Sequence, residues 1–599
     1  MKTYCNNMKT YCNKLAKRLL IWRVRKISDK NFMLILAVIV GIAVGLAAVL
    51  MKNSVHFVRE VAIFLNNKYS FSYIYIFFPA IGIGLTLLFV NIFIKKKLGH
   101  GIPMVLYSIS KERGKIEKHN MFSRIVASSL TVGFGGSVGL EGPIVGTGSA
   151  IGSNIGQFFR LNYRQLILLI GCGCTGAIAA IFKAPIAAIV FTLEVIMIDL
   201  TMGSLMPLLV ASISAALTSY LFLGQNYVYH VANIDPFFLK DVPLYILLGI
   251  IAGLLSTYFS KLYLWQGKQY AKLKTKRARF IVGVTILGVL IFLFPSLYGE
   301  GYEVINLALH GDISYIFDGV FYSQWQSFLG ICIIIILILL TKAFATGATF
   351  GAGGTGGIFA PSLFLGANLG FLFAHVANSM KLNISHGNFA LVGMAGLIAG
   401  VIHAPLTAIF LIAEITGGYE LFIPLMIVST ISFFVVRIFM PKSVYAILLA
   451  ERGELLTHNA DSNMLTLMRT ESLIEKNFLT INENAKLKDL TKVISRSSRA
   501  VYVVIDDNNY FKGLIWLDHV KHLMFKTELY DSVYVRDLMD IPKYTVNTNM
   551  DVKEIVEIFE NSNYFNLPVV DEGKYIGFVS RAKVFTTYRE MLKKFSDDE

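Results

Sequence analysis

The chain has 599 residues, of which 55% are hydrophobic and only 16% are charged, and its mean hydropathy is +0.60. Soluble domains carry about 25% charged residues, so this composition argues against an all-soluble enzyme and against a disordered or fibrous chain. The net charge is +16, but residues 451–599 carry 20 Lys and Arg against 24 Asp and Glu. Because the basic excess lies in the apolar part, we predict an α-helical polytopic membrane protein with a soluble C-terminal domain and no nucleic-acid partner.

Apolar segments recur along the first 440 residues, and several reach the ~20 residues that a helix needs to span a bilayer. Others are short or interrupted by Gly and Pro, which a membrane tolerates only where the backbone lines a cavity inside protein. In chain order they lie near 33–51, 71–94, 123–134, 166–198, 205–224, 243–263, 280–298, 327–343, 358–378, 389–416 and 421–440. These broken segments favour a transporter or channel over a simple anchor.

The loops between the apolar segments indicate orientation. Lys and Arg are concentrated in Lys14–Lys30, Lys95–Lys118 and Lys261–Arg279, whereas Gly299–Gln324 has none. By the positive-inside rule the basic loops are cytoplasmic, and we expect both termini on that side of a bacterial inner or plasma membrane. A tandem MKTYCN sequence near the N-terminus leaves open whether Met1 or Met8 is the start.

Two segments of the apolar region are related in sequence. Lys183–Glu194 matches His403–Glu414 at a constant offset, including an Ala-Pro pair and the final glutamate. Upstream, the Gly-rich loop at 133–143 corresponds to 347–361. Related halves with broken helices at matching positions are the best sequence indication of a binding site near the membrane midplane.

Three loops share the design of small residues followed by proline. They are Gly99–Pro103, Gly139–Pro143 and Gly357–Pro361. Proline suits the first turn of a helix, where its missing N–H is not needed. The remaining free N–H groups and the positive end of the helix dipole would then form an anion site without a full cation. Several such ends converging at the midplane would bind a small anion weakly enough to release it.

Glu141 stands among these N–H donors. An acidic side chain inside the membrane is a functional-site hypothesis by default. Its carboxylate can occupy the position that an anion would use, and protonation would vacate that position. A helix N-cap is the alternative role. For Glu194 and Glu414, near helix ends at repeat-related positions, a structural role is favoured.

The ordered motifs GHGIP, GLEGP and GIFAP, followed by Tyr445 in SVYAILLAERG, resemble the CLC family of chloride channels and chloride/proton exchangers. The resemblance covers most of residues 30–455. It implies a homodimer with one anion pathway in each subunit and inverted repeats within each subunit. It also implies a gating role for Glu141, and the residues implied to bind the anion are His100, Gly101, Ile102, Gly139, Ile358, Phe359 and Tyr445.

Two positions depart from the family pattern. The usual serine of the first loop is His100, so we expect the backbone N–H groups of Gly101 and Ile102 to supply that contact. In well-coupled exchangers a glutamate that relays protons follows the residue matching Glu194, and here that position is Val195. Valine cannot carry a proton, so we expect a channel-like or weakly proton-coupled chloride pathway, with a chloride/proton antiporter as the alternative.

The tail contains a repeat of its own. Val504–Asp518 matches Val569–Ser580, each with a β-branched run, an Asp turn and a second strand, and this resembles a CBS-domain pair of the α+β class. CBS pairs often bind adenine nucleotides through a Ser or Thr and an Asp after the glycine. Ser580 is retained, but Lys583 replaces the Asp, so we expect a structural, dimer-regulating module and regard nucleotide binding as doubtful.

These observations give a domain prediction of a basic cytoplasmic segment at 1–32, a transport domain at 33–455 and CBS domains at 470–533 and 534–599.

A membrane-embedded enzyme would need a nucleophile with its base, or metal ligands, at the midplane. The apolar segments show no such arrangement, and the five cysteines have no metal-site spacing. We therefore expect no enzymatic activity, no metal and no cofactor besides the transported chloride. A CBS-bearing divalent-cation transporter would need acidic clusters in its pore, which are absent from these segments.

Overall fold

A computed structural model describes residues 27–69, 74–96, 98–99, 101–197, 202–224, 235–317, 320, 322–450, 468, 470–562 and 564–596. These residues form two compact units, which divide between positions 455 and 456. The N-terminal MKTYCN sequences and most of the first basic segment lie outside the described residues.

Among the described residues of the first unit, the regular elements are all helices, and one isolated backbone bridge joins Gly139 and Gly357. Its first helices are α1 Asp29–Tyr69, α2 Phe78–Phe89, α3 Gly101–Ser110, α4 Ser123–Gly133, α5 Glu141–Phe158, α6 Tyr163–Phe182, α7 Pro185–Val195, α8 Met202–Leu223 and α9 Val242–Lys272. They are followed by α10 Lys276–Leu293, α11 Tyr302–Leu309, α12 Ser314–Phe317, α13 Phe328–Ala352, α14 Phe359–Ser379, α15 His386–Ile402, α16 Pro405–Ile415, α17 Phe422–Phe439 and α18 Val444–Ala450.

Among the described residues, eight helical stretches are long and apolar enough to cross a bilayer. Four shorter apolar helices, α3, α7, α15 and α16, are packed among them. Large apolar side chains on the outer faces of the long helices are exposed, whereas α15 is buried along its whole length. The unit is therefore a multi-pass membrane protein in which short helices are enclosed by longer ones, as predicted from the interrupted hydropathy.

The repeat appears as two helix pairs with the same break. The apolar runs predicted at 166–198 and 389–416 each divide into two helices, α6 with α7 and α15 with α16. Lys183 and His403 stand at the two breaks with left-handed backbones, at φ of 56° and 62°. Each is followed by Ala-Pro, and the residue before a proline is disfavoured in helical geometry, so both first helices end there.

The final glutamates of the repeat each bind the other copy. The carboxylate of Glu194 accepts the backbone N–H groups of Leu406 and Thr407 at 3.0 and 2.7 Å. Glu414 in turn accepts those of Ile186 and Ala187 at the same distances. Each carboxylate thus satisfies orphan donors at the start of the partner helix. The two glutamates therefore join α7 and α16.

The second unit contains two sheets with the same design. One has the order β2–β3–β4 and the other β1–β6–β5, where the strands are β1 Ile474–Glu475, β2 Thr480–Asn482, β3 Val501–Ile505, β4 Phe511–Trp516, β5 Asn566–Asp571 and β6 Lys574–Ser580. Its helices are α19 Leu487–Ser495, α20 Leu517–Val520, α21 Val552–Asn561 and α22 Arg581–Ser596. In each copy an antiparallel hairpin follows an amphipathic helix, and a short parallel pairing lies beside the hairpin's first strand. The sequence repeat of the tail thus corresponds to a structural repeat.

Candidate functional site

The three proline-containing loops each lead into a helix at the same point. Helices α3, α5 and α14 begin at Gly101, Glu141 and Phe359, and the proline is the third residue of each. The first N–H groups of a helix have no partner within it, and proline removes one of these donors at no cost. Each loop therefore presents free N–H groups and the positive end of a helix dipole.

The two repeat-related loops pair with each other through their backbones. The N–H of Gly139 donates to the carbonyl of Gly357 at 2.9 Å, and the N–H of Gly357 donates to the carbonyl of Gly139 at 2.8 Å. The third loop joins them by close packing, since a Cβ on Gly101 would lie 1.9 Å from the carbonyl oxygen of Gly142. Glycine at these positions is what allows three helix N-termini to meet.

A small cavity of about 20 Å³ lies where these helix ends meet. Its lining comes from α3, α5, α9, the end of α13, the start of α14 and α18, and consists of Gly101, Ile102, Pro103, Gly142, Tyr263, Phe350, Gly356, Gly357, Ile358, Tyr445 and Leu448. The only polar side-chain groups among these residues are the hydroxyls of two tyrosines. The cavity therefore combines N–H groups and hydroxyls with apolar walls.

The structure brings most of the predicted anion-binding residues to this cavity. Gly101, Ile102, Ile358 and Tyr445 line it. Phe359 does not line it; its buried ring packs between those of Phe182 and Phe191, at 5.3 and 6.4 Å between centroids.

Gly139 and His100 were also predicted to bind the anion. Gly139 is outside the cavity lining, and its N–H is already engaged by Gly357, so it has no amide to offer an anion there. His100 lies outside the described residues.

Glu141 is fully buried at the first position of α5. The hydroxyl of Tyr302, the first residue of α11, donates to its Oε1 at 2.5 Å. Its Oε2 has no hydrogen-bond partner of good geometry among the described residues. Oε2 lies against Gly139, at the position that a side chain would occupy. A Cβ added to Gly139 would lie 2.1 Å from Oε2 and 3.1 Å from the backbone nitrogen of Ala360. The carboxylate thus lies beside the N-terminus of α14.

A buried lysine supports the Gly139 loop. Lys342 is wholly inaccessible, its Nζ donates to the hydroxyl of Ser137 at 2.9 Å, and it lies 4.4 Å from the ring centre of Phe364. Ser137 also accepts the hydroxyl of Thr346 at its carbonyl. We did not predict a role for Lys342, although it is the only charged residue in α13, and an intramembrane charge is a sufficient signal.

Two residues near Glu141 were also missed by the sequence analysis. Tyr302 and Glu300 lie in Gly299–Gln324, a segment whose lack of basic residues indicates membrane orientation but not a functional site. Glu300 carries an Oε1 that is buried without a hydrogen-bond partner in the described part of the chain, and it lies within electrostatic range of Glu141 and Lys52. No local pattern marks such contacts, because Tyr302 is 161 positions from Glu141.

Two predicted positions lie away from the cavity. Val195 is the buried last residue of α7. Ser580, in the second unit, ends β6 and is also buried; its hydroxyl donates to Glu475 and accepts the N–H of Lys583.

Within the described ranges, no group of three or more His, Cys, Asp or Glu residues could hold a metal ion.

Comparison with known proteins decides the family. The sequence model described as "Voltage gated chloride channel" matches residues 82–437, and that of the CBS domain matches residues 535–590. The chain belongs to the voltage gated chloride channel family. A ClcB-like protein of Ralstonia nicotianae is 30% identical over 381 residues, which cover 62% of this chain and 83% of that protein. The H(+)/Cl(-) exchange transporter ClcA of Vibrio cholerae is 28% identical over 411 residues, covering 66% and 84%.

Solved structures show the same fold. A slow cyanobacterial Cl-/H+ antiporter matches with a TM-score of 0.60 and 22% identity, over 71% of this chain and 99% of that one. A eukaryotic CLC transporter matches with a TM-score of 0.58 and 18% identity, over 93% and 99%. The predicted family, with its C-terminal CBS region, is confirmed.

The contact between Gly101 and Gly142 provides a test of the site's construction. Gly101→Ala places a methyl group against a carbonyl oxygen of the backbone, which cannot rotate away, so we expect a loss of about 1–3 kcal/mol of stability. Gly267→Ala in α9 is the matched control, because no atom lies within 4 Å of its added Cβ. It should be neutral or stabilising by up to ~1 kcal/mol. Thermal denaturation in detergent measures both, and equal midpoints for the two variants would contradict the proposed packing.

Proposed function

We propose that this protein carries chloride and similar small anions across the membrane through the cavity at the three helix N-termini. The observation that carries the proposal is the convergence of α3, α5 and α14 on one space that also contains Tyr445. Free N–H groups and helix dipoles stabilise an anion there without the strong attraction of a salt bridge. Such moderate binding is what conduction requires.

In this proposal the N–H groups of Gly101, Ile102 and Ile358 and the hydroxyl of Tyr445 contact the anion. Lys342 supports this arrangement from behind the Gly139 loop, because its buried Nζ donates to the hydroxyl of Ser137. The family membership and the apolar walls of the cavity both support a small inorganic anion over a large organic one.

Glu141 is proposed as the gate. Its carboxylate lies beside the N–H of Ala360 at the start of α14, where a second anion could bind. A seated carboxylate competes with an anion for the same donors, and a protonated or displaced one does not. The hydroxyl of Tyr302 holds the seated position by donating to Oε1.

We favour a channel-like or weakly proton-coupled pathway. Val195, which stands where a proton-relaying glutamate would be expected, is buried and cannot bind a proton. A chloride/proton antiporter is the second candidate, and the relatives named as exchangers favour it. The pathway is proposed to work in a homodimer whose N- and C-termini are cytoplasmic, in a bacterial inner or plasma membrane.

Purified protein in liposomes tests the function, with chloride efflux and internal pH recorded together. We expect chloride efflux without uphill proton movement. Glu141→Gln, which keeps the size but loses the charge, should give faster efflux that no longer depends on pH. Uphill proton movement driven by chloride would establish the antiporter instead. Absence of chloride flux would overturn the transport proposal, and a variant with unchanged rate and pH dependence would overturn the gate.

Tyr302→Phe tests the hydrogen bond to the gate. Hydrogen bonds to charged groups contribute about 1.5–3 kcal/mol, so its loss should raise the ratio of displaced to seated Glu141 about tenfold or more. We therefore expect faster initial chloride efflux at neutral pH. Tyr315→Phe is the control, because its hydroxyl donates instead to Asn368 at 2.8 Å. Efflux equal to that of the wild type, or an equal increase in both variants, would contradict a specific role for Tyr302.

We also propose that the C-terminal CBS pair regulates or stabilises the protein without adenine nucleotide. The hydroxyl of Ser580 is engaged by Glu475 and by the N–H of Lys583, and Glu475 is further bound by Arg499 at 2.9 Å. A nucleotide would have to displace this arrangement. Calorimetric titration of the full chain with ATP should show no binding at concentrations up to about 1 mM. Saturable binding that Ser580→Ala weakens would refute this proposal.

A further inference from the structure

The cavity contains a second tyrosine that no motif predicted. Tyr263 belongs to α9, a helix outside both copies of the repeat and outside the three proline-containing loops. It lines the same cavity as Tyr445, which comes from α18. Each of the two side chains is only 7% exposed. Two phenols from unrelated parts of the chain thus share one small buried space.

Neighbouring aromatic rings hold the ring of Tyr263 in place. It stacks on Phe259 one turn earlier in α9, with 6.4 Å between centroids and 7° between planes. Phe350, which also lines the cavity, meets it edge-on at 5.6 Å. These contacts restrict the ring from two sides, so its hydroxyl group does not need a hydrogen bond to keep its position.

The hydroxyls of both tyrosines lack a hydrogen-bond partner among the described residues. No hydrogen bond joins either phenol to another described residue, and both phenols line the same cavity. Buried tyrosines usually satisfy their O–H group, as Tyr302, Tyr315 and Tyr163 do here, although Tyr270 and Tyr575, which do not line the cavity, have no such partner among the described residues. Two unsatisfied hydroxyls beside one cavity indicate that their acceptor is something that enters the cavity.

We propose that Tyr263 is a second hydroxyl donor to the transported anion, acting together with Tyr445. The inference rests on the proposed function, because it assigns a ligand to the same site. Donors on the α3 and α14 sides are backbone N–H groups, and the two phenols complete the coordination from α9 and α18. The pair supplies two neutral donors in a cavity of about 20 Å³ whose lining has no charged side chain, and this favours a small monovalent anion over a larger, multiply charged one.

Chloride affinity of the whole protein in detergent, measured by calorimetry, tests the assignment. Tyr263→Phe removes one oxygen and keeps the ring contacts, and we expect the Kd for chloride to rise about tenfold, as for a lost hydrogen bond to a charged group. Tyr270→Phe is the matched control. It removes a hydroxyl from the same helix that is also buried without a partner among the described residues, but Tyr270 does not line the cavity. Its Kd should equal that of the wild type.

The outcomes separate this inference from the proposed function. If the wild type neither binds nor carries chloride, the proposed function fails and this assignment fails with it. If the wild type binds chloride and Tyr263→Phe binds it equally well, only the assignment of Tyr263 is overturned. Tyr445→Phe serves as the positive control, because its hydroxyl belongs to the proposed site.

A second measurement avoids any dependence on how the variants fold. Bromide scatters anomalously, so crystals of the wild-type protein grown in bromide would reveal the anion directly. We expect a bromide ion in hydrogen-bonding contact with the hydroxyls of both Tyr263 and Tyr445. An ion in contact with Tyr445 and the helix N-termini but beyond reach of Tyr263 would overturn the proposal.

Discussion

The transport unit depends on chain segments that approach each other without side chains between them. Gly139 and Gly357 exchange two backbone hydrogen bonds, and Gly101 lies against the carbonyl of Gly142. Any larger residue at Gly101 would separate α3 from α5 and move their N-termini apart. The free N–H groups at these helix ends attract anions only if they face a common space, so the candidate function follows from this one steric condition.

Around this contact, buried polar groups are held by partners from distant parts of the chain. Lys342 binds Ser137, Tyr302 binds Glu141, and the glutamates of the repeat bind the opposite helix starts. In a membrane interior a polar group without a hydrogen bond is costly, and each of these contacts supplies one. The same arrangement leaves Glu141 with Oε1 held by Tyr302 and Oε2 beside the start of α14, which is suited to the proposed gate.

Much of this architecture could be predicted from residue patterns. Interrupted hydropathy indicated short helices enclosed by long ones, the shared Ala-Pro and Glu spacing indicated the repeat, and the Gly- and Pro-containing loops indicated helix starts. The contributions of Tyr263, Tyr302 and Lys342 were missed. Tyr263 in particular lies in an apolar segment with ordinary aromatic neighbours, and nothing local distinguishes it from a core residue. Its position beside Tyr445 depends on how α9 packs against the rest of the unit.

The sequence by itself determined what depends on local chemistry: the membrane character, the positions where helices must break, the loops that start helices and the family. Local rules suffice there, because proline, glycine and hydropathy act within a few residues. Only the tertiary structure decided which helix ends share a cavity, that Gly139 uses its N–H for pairing with Gly357, and which hydroxyls lie beside Glu141 and in the cavity. Most of those contacts join residues more than a hundred positions apart, and their geometry is set by the packing of whole helices.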